Sequence, residues 1–236
     1  MGKHPIVGII IQARMGSTRL PGKVLKNIGG KKLLEHIFQR LSFIKNNVTV
    51  VLATSLNSKD NIIEEFCLKN NIKCFRGSEE NVLDRYYKCA KKYEFEHIVR
   101  LTADNPFVDI EELDNLITLH LTKPADYSTS LDALPYGVGT EIFSFKALEE
   151  SHLKAVKEYH LEHVNEYILD NLNFFSVNVL SVEDFKNFPL IRLTVDTQDD
   201  YEKACFLVKN SKDEILTTKE AIKLCLQLSK KPKLMH

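Results

Sequence analysis

Short β-branched runs alternating with amphipathic stretches of about ten residues recur through the first half of the chain, and no other feature limits its fold as strongly. Residues 6–11 (Ile-Val-Gly-Ile-Ile-Ile) have no polar position, the pattern of a strand buried on both faces of a parallel sheet. A loop follows over 13–32, where Gly16, Pro21, Gly22, Gly29 and Gly30 interrupt regular structure. Leu33, Leu34, Ile37, Phe38 and Leu41 then recur at helical spacing. Strands over 48–53, 73–76 and 97–101 are expected to alternate with helices over 62–68, 82–93 and 110–121, with Ser58 and Asp60 as caps for the first of these. Such alternation predicts a mostly parallel α/β sheet whose right-handed crossovers bring the strand C-termini to one edge.

Beyond Pro124 the pattern loosens. Strands are predicted over 126–130, 141–145, 174–179 and 191–195, with one helix over roughly 157–169. Thr197 with Asp200, and Thr217 with Glu220, read as caps of two closing helices. With no repeat or low-complexity linker, residues 1–236 form one α/β domain with an acceptor-binding lobe inserted at about 124–190, and the basic stretch 230–233 reads as a solvated end. Thirty-two basic residues balance thirty-two acidic ones, which argues against a nucleic-acid or membrane-surface partner. Five cysteines without a CxxC pair suit reduced cytosolic thiols, and a six-residue apolar run is too short to cross a bilayer, so a soluble cytoplasmic protein is expected.

The densest chemistry lies over residues 12–23, Gln-Ala-Arg-Met-Gly-Ser-Thr-Arg-Leu-Pro-Gly-Lys, directly after the first strand, where open α/β sheets bind ligands. Two glycines, two hydroxyls and the cations Arg14, Arg19 and Lys23 supply what a triphosphate needs: close backbone approach and opposing charge. The spacing is that of neither a Walker loop nor GxGxxG. Asp104 and Asp196 each follow a predicted strand, so both fall on the same sheet edge. Two such carboxylates can share a Mg²⁺ that also takes phosphate oxygens.

Residues 13–23, with 76–86 (Arg-Gly-Ser-Glu-Glu-Asn-Val-Leu-Asp-Arg-Tyr), 100–106 (Arg-Leu-Thr-Ala-Asp-Asn-Pro) and 193–197 (Leu-Thr-Val-Asp-Thr), closely resemble, in order, the blocks of the cytidylyltransferase family. That family includes the Kdo and acylneuraminate cytidylyltransferases and the SpsF-like spore-coat polysaccharide proteins. The resemblance implies a Rossmann-like fold of the nucleotide-diphospho-sugar transferase type. It implies transfer of CMP from CTP, with release of pyrophosphate, to a sugar acid or a phosphorylated sugar or polyol, and a homodimer. It further implies that Ala13, Arg14, Gly16, Ser17 and Lys23 face the nucleotide, and that Thr54, Arg76 and Asn81 lie in regions that read it. Arg14, Lys23 and Asp104 would carry the reaction, with Mg²⁺ on Asp104 and Asp196. The two glycines before Glu141, beside Tyr136, suit recognition of sugar hydroxyls, and His160 and His163 at i,i+3 share a helix face; these four are the candidate acceptor contacts. Leu161 and Asn165 depart from the Arg and Thr usual in the SpsF-like segment. Guanylyl or uridylyl transfer, or nucleotide binding without turnover, are the other readings of this scaffold.

Overall fold

A computed structural model describes residues 6–230; the rest of the basic tail lies outside them. In chain order the elements are β1 (Val7–Gln12), a 3-10 turn (Lys23–Leu25), the small hairpin β2 (Asn27–Ile28) and β3 (Lys31–Lys32), α1 (Leu33–Leu41), β4 (Val48–Ser55), α2 (Asn61–Lys69), β5 (Lys73–Gly77), α3 (Val82–Lys92), β6 (His97–Thr102) and α4 (Ile110–Thr122). They continue as β7 (Tyr127–Thr129), β8 (Glu141–Ser144), α5 (Phe145–Lys154), α6 (Glu158–Glu162), α7 (Glu166–Leu169), β9 (Val177–Val179), α8 (Gln198–Asn210) and α9 (Thr218–Lys230).

The described strands build a seven-stranded sheet in the order β5-β4-β1-β6-β8-β7-β9, parallel except where β8 runs antiparallel between β6 and β7. The β1 sequence has its reason here. Ile9 and Ile11 enter the core on one face and Ile10 the core on the other, all without solvent exposure. Each such side chain contributes roughly 1.5–3 kcal/mol relative to an exposed one. The register aligns Gln12 with Ala53 and Thr102, so β1 and β6 end together while β4 runs two residues further beside β5. From β1 the chain winds one way to β4 and β5, then crosses to β6 on the other side, which opens a crevice at the carboxyl ends of β1 and β6.

The first half follows the sequence expectations closely; the second departs from them in four places. Strands β7 to β9 extend the central sheet, so the segment expected as an inserted lobe shares one sheet with the first half of the chain. Residues 191–195, expected as a strand, make one parallel bridge, Tyr136 with Arg192, because their partner is a turn and not a strand. The helix expected over 157–169 is broken: His163 is extended between α6 and α7, which drops Val164 into the core. Finally, Ser144 ends β8 and its hydroxyl caps α5 by accepting from Ala147 N–H, so Phe145 opens a helix instead of closing a strand. No helix among the described residues is long and apolar enough to cross a membrane.

Caps were more legible. Thr197 and Asp200 form the expected reciprocal box at α8, and Thr217 Oγ1 accepts from Glu220 N–H at α9, while the Glu220 carboxylate turns to Ser211 and Lys212. Asp60, expected as a cap for α2, is used otherwise, as described below.

His120 lies unexposed on α4, with Nδ1 2.7 Å from Ser128 Oγ and Nε2 3.0 Å from Nδ1 of His97. Burial, reinforced by His97, pushes its pKa down to about 4. A histidine of ordinary pKa in the unfolded chain binds more protons than the folded one between about pH 6.5 and 4, so stability falls as pH drops through that window. The loss from this residue should be on the order of 3 kcal/mol, read as chemical denaturation from pH 7.5 to 4.5, and His120→Gln should flatten the slope.

Candidate functional site

The loop leaving β1 is tied down before it reaches its cations. Ala13 N–H still reaches the Ala53 carbonyl (3.1 Å), and Met15 N–H donates to Asp60 Oδ1 at 2.7 Å. Asp60 Oδ2 accepts from the Ser55 hydroxyl at 2.5 Å, so this buried carboxylate joins the loop to the end of β4. Gly22, at φ +66°, turns the chain into the 3-10 turn, a conformation that disfavours any residue with a Cβ. Leu20 and Val24 bury on either side of that turn and aim Lys23 across the crevice.

The opposing wall comes from two segments ninety residues apart. Val195 N–H donates to the Asp104 carbonyl at 2.8 Å, stitching the extended 191–195 segment to the turn after β6. Tyr136 N–H donates to the Ile191 carbonyl and Leu193 N–H to the Tyr136 carbonyl, both at 2.8 Å. Gly137, at φ +91°, lies where a Cβ would come within 2.7 Å of Thr194 N, so this crossing accepts only glycine. The consequence is that Asp104 and Asp196 face one another as expected. What stands between them is Lys23, with Nζ 2.9 Å from Asp104 Oδ2 and 2.7 Å from Asp196 Oδ1. Arg192 donates to Asp196 Oδ2 while its Nε is held by Asp200 at 3.1 Å, and Arg19 approaches Asp196 Oδ1 at 3.4 Å. Burial works to raise the Asp196 pKa, but Lys23, Arg192 and Arg19 outweigh it and hold the carboxyl below its ordinary value.

Around this cluster is a cleft of about 650 Å³, within the range of small-molecule sites. Ala13, Arg14, Gly16, Ser17, Lys23, Asp104, Tyr136, His163 and Asp196 all line it, so most of the sequence-derived candidates converge. Arg14 is half-exposed and makes a long 3.9 Å contact to Glu162 of α6. The Ser17 hydroxyl accepts from Leu20 N–H at 3.3 Å and so also shapes the loop.

Five candidates do not line the cleft. Thr54 is fully buried in β4. Arg76 spends its guanidinium on the Ser55 and Asn57 carbonyls, Asn61 and Glu64, bracing the turn after β4. Asn81 caps α3 through Asp84 N–H. Glu141 is buried, accepting from Arg100 Nη1 and from the Tyr127 hydroxyl, each at 2.5 Å. Burial alone would lower the Arg100 pKa; Glu141 reverses the sign. Burial and the same carboxylate push the Tyr127 phenol up. His160 is buried, bound through Nε2 to Asp170 at 3.0 Å, and the break after α6 sends His163 alone to the cleft, so the two share no face.

Sequence reasoning missed Asp60, Arg100 and Arg192. Arg100 lines the cleft with its Nε unpartnered. Its signal was present, since a lone arginine inside a buried strand needs a carboxylate, and Glu141 falls on the neighbouring strand. The position of Arg192, four residues before Asp196, was likewise visible.

Two carboxylates converging beside the cations of the loop fit a Mg²⁺ that takes its other ligands from water and substrate. Lys23, itself a cation held by both carboxylates, shows that the pair suits a positive charge. Among the described residues no group of three or more acidic, histidine or cysteine side chains could hold a metal by itself.

The sequence model of the cytidylyltransferase family matches residues 8–222. The spore coat polysaccharide biosynthesis protein SpsF of Bacillus subtilis is 38% identical over 198 residues, 82% of each chain. A solved cytidylyltransferase structure from Leptospira borgpetersenii serovar Hardjo-bovis superposes with a TM-score of 0.89 at 32% identity, covering 99% of this chain and 100% of that one. CMP:2-keto-3-deoxy-manno-octonic acid synthetase, solved with CTP, shares the fold at a TM-score of 0.67 and 20% identity, covering 86% of this chain and 98% of its own.

Placing Glu141 in a buried ion pair has a measurable consequence. Glu141→Ala leaves the buried Tyr127 hydroxyl and the half-buried Arg100 without their acceptor and should cost on the order of 3 kcal/mol of stability in urea denaturation. An acceptor-contacting role alone would leave the midpoint unchanged.

Proposed function

The chain belongs to the cytidylyltransferase family, and from that premise we propose that it transfers CMP from CTP to a sugar-type acceptor with release of pyrophosphate, in the synthesis of a surface polysaccharide or glycoconjugate. The acceptor class is a sugar acid or a phosphorylated sugar or polyol. The observation that carries this reading is the cleft itself: Arg14, Arg19 and Lys23 on one wall, Asp104 and Asp196 on the other, at the carboxyl edge of β1 and β6.

In this reading the loop binds the triphosphate through those cations and through N–H groups that Gly16 leaves approachable. Asp104 and Asp196 would hold a Mg²⁺, which when bound supplies charge neutralisation at the phosphates. Tyr136 and His163, which also line the cleft, orient the acceptor so that its oxygen lies in line with the α-phosphorus. No covalent nucleophile is needed, because direct transfer rests on positioning and charge. Free cysteines suit a cytosolic enzyme. Exposed Leu172, Phe174 and Val179, at or near edge strand β9, support a homodimer.

A pyrophosphate-release assay over the four nucleoside triphosphates, against a panel of sugar acids and sugar phosphates, tests the proposal. Turnover is expected with CTP; selectivity for GTP or UTP assigns the chain to another nucleotide, and no turnover with any pair overturns the reading. Lys23→Ala should lower turnover by about 2–4 kcal/mol of transition-state stabilisation, roughly 30- to 1,000-fold. Chelator should abolish activity and Mg²⁺ or Mn²⁺ restore it. Asp104→Asn and Asp196→Asn should each lose most turnover while keeping their nucleotide affinity without metal.

A further inference from the structure

The ammonium of Lys23 stands where the two carboxylates converge, at 2.9 and 2.7 Å. A divalent ion shared by Asp104 and Asp196 would meet Asp196 with Oδ1 held by Lys23 and Oδ2 by Arg192. We propose that Lys23 is a built-in occupant of the divalent-ion position, so that the pair takes up an ion only when nucleotide phosphates draw the lysine away. This rests on the reading of Asp104 and Asp196 as metal ligands and adds an order to it: nucleotide and ion enter together, and free ion alone is excluded.

Three observations carry the inference. First, Lys23 is largely buried, so its ammonium is poorly served by water and depends on the two aspartates for partners. Second, its anchor differs from that of its neighbours. Arg192 is clamped by Asp200, itself fixed by the Thr197 cap, and its guanidinium lies 5.1 Å over the Tyr136 ring. The lysine hangs on a flexible four-carbon stem, and its backbone sits on a 3-10 turn whose other two residues, Val24 and Leu25, pack on the core. The Nζ can therefore change partners by rotamer alone, with the turn in place. Third, Arg14 and Arg19 are substantially exposed on the same loop, so an arriving triphosphate meets them first and adds the negative charge that competes for Lys23.

The exchange balances electrostatically. With the site empty, one ammonium separates two carboxylates. With nucleotide and ion bound, the ion takes over that separation and the ammonium faces phosphate. Neither state leaves Asp104 and Asp196 opposed without a cation, and metal without nucleotide would strand Lys23 in a poorly solvated position beside a dication.

The test uses Mn²⁺ as the probe, read by electron paramagnetic resonance on nucleotide-free protein, with Lys23→Met and Lys23→Arg beside the wild type. Lys23→Met should bind Mn²⁺ about tenfold more tightly or better than wild type, because the competing cation is gone, and Lys23→Arg should stay as weak as wild type. Mn²⁺ should also raise the melting temperature of Lys23→Met and leave that of the wild type nearly unchanged, which shows that the variant is folded. Equal Mn²⁺ affinity in wild type and Lys23→Met overturns the inference. In a separate arm, calorimetry of CTP with wild type should show tighter binding with Mn²⁺ than without. If Mn²⁺ has no effect there and binds neither protein alone, the metal reading itself fails and the inference with it.

Discussion

Two carboxylates brought to one sheet edge repel unless a cation separates them, and much of the chain is arranged to meet that demand at Asp104 and Asp196. The parallel register of β1 with β6 delivers Asp104 beside the loop. The bond from Val195 N–H to the Asp104 carbonyl delivers Asp196 opposite. Asp60 and the Gly22 turn then hold the loop so that Lys23 reaches both. Arg192 and Asp200 complete the surround and leave one Asp196 oxygen turned to the cleft side. An edge built in this way presents cations on one wall and paired acids on the other, an arrangement that suits an anionic phosphate chain with its metal.

The first half was legible because its signals are local and redundant. The run 6–11 has one reading, and the helices at 33–41 and 82–93 carry clear apolar periodicity. The second half fails where structure is set by distant partners. Residues 191–195 are β-branched and extended, yet their neighbour is the Gly137 turn, so no ladder can propagate. The break at His163 has no glycine or proline to announce it; burial of Val164 outweighs helix continuation. α5 was hidden because Phe145 follows an apolar strand directly, and only the Ser144 cap marks the change.

At the site, chemistry-rich positions in loops were easier to read than polar residues in the core. Arg14, Lys23, Asp104 and Asp196 stand out by type and by place after strands, and all four reach one cleft. The resemblance singles out Arg76 and Asn81, and the glycines before it single out Glu141, yet each satisfies a nearby buried or capping group. A buried strand arginine such as Arg100 calls for a carboxylate, and Glu141 meets that call. What a sequence lacks is the list of partners that decides whether a polar side chain is free for a ligand.

Lys23 and Asp196 are 173 residues apart, and that separation has a consequence for biogenesis. Domains fold as they emerge from the ribosome, and here strands β1, β4, β5 and β6 can pair well before position 196 is made. Until then the loop carries its cations without the carboxylate that later closes the cluster. The half-made chain therefore holds a basic loop but no paired acids. Closure of the cluster must wait for position 196, so the site is complete only once most of the chain has been made.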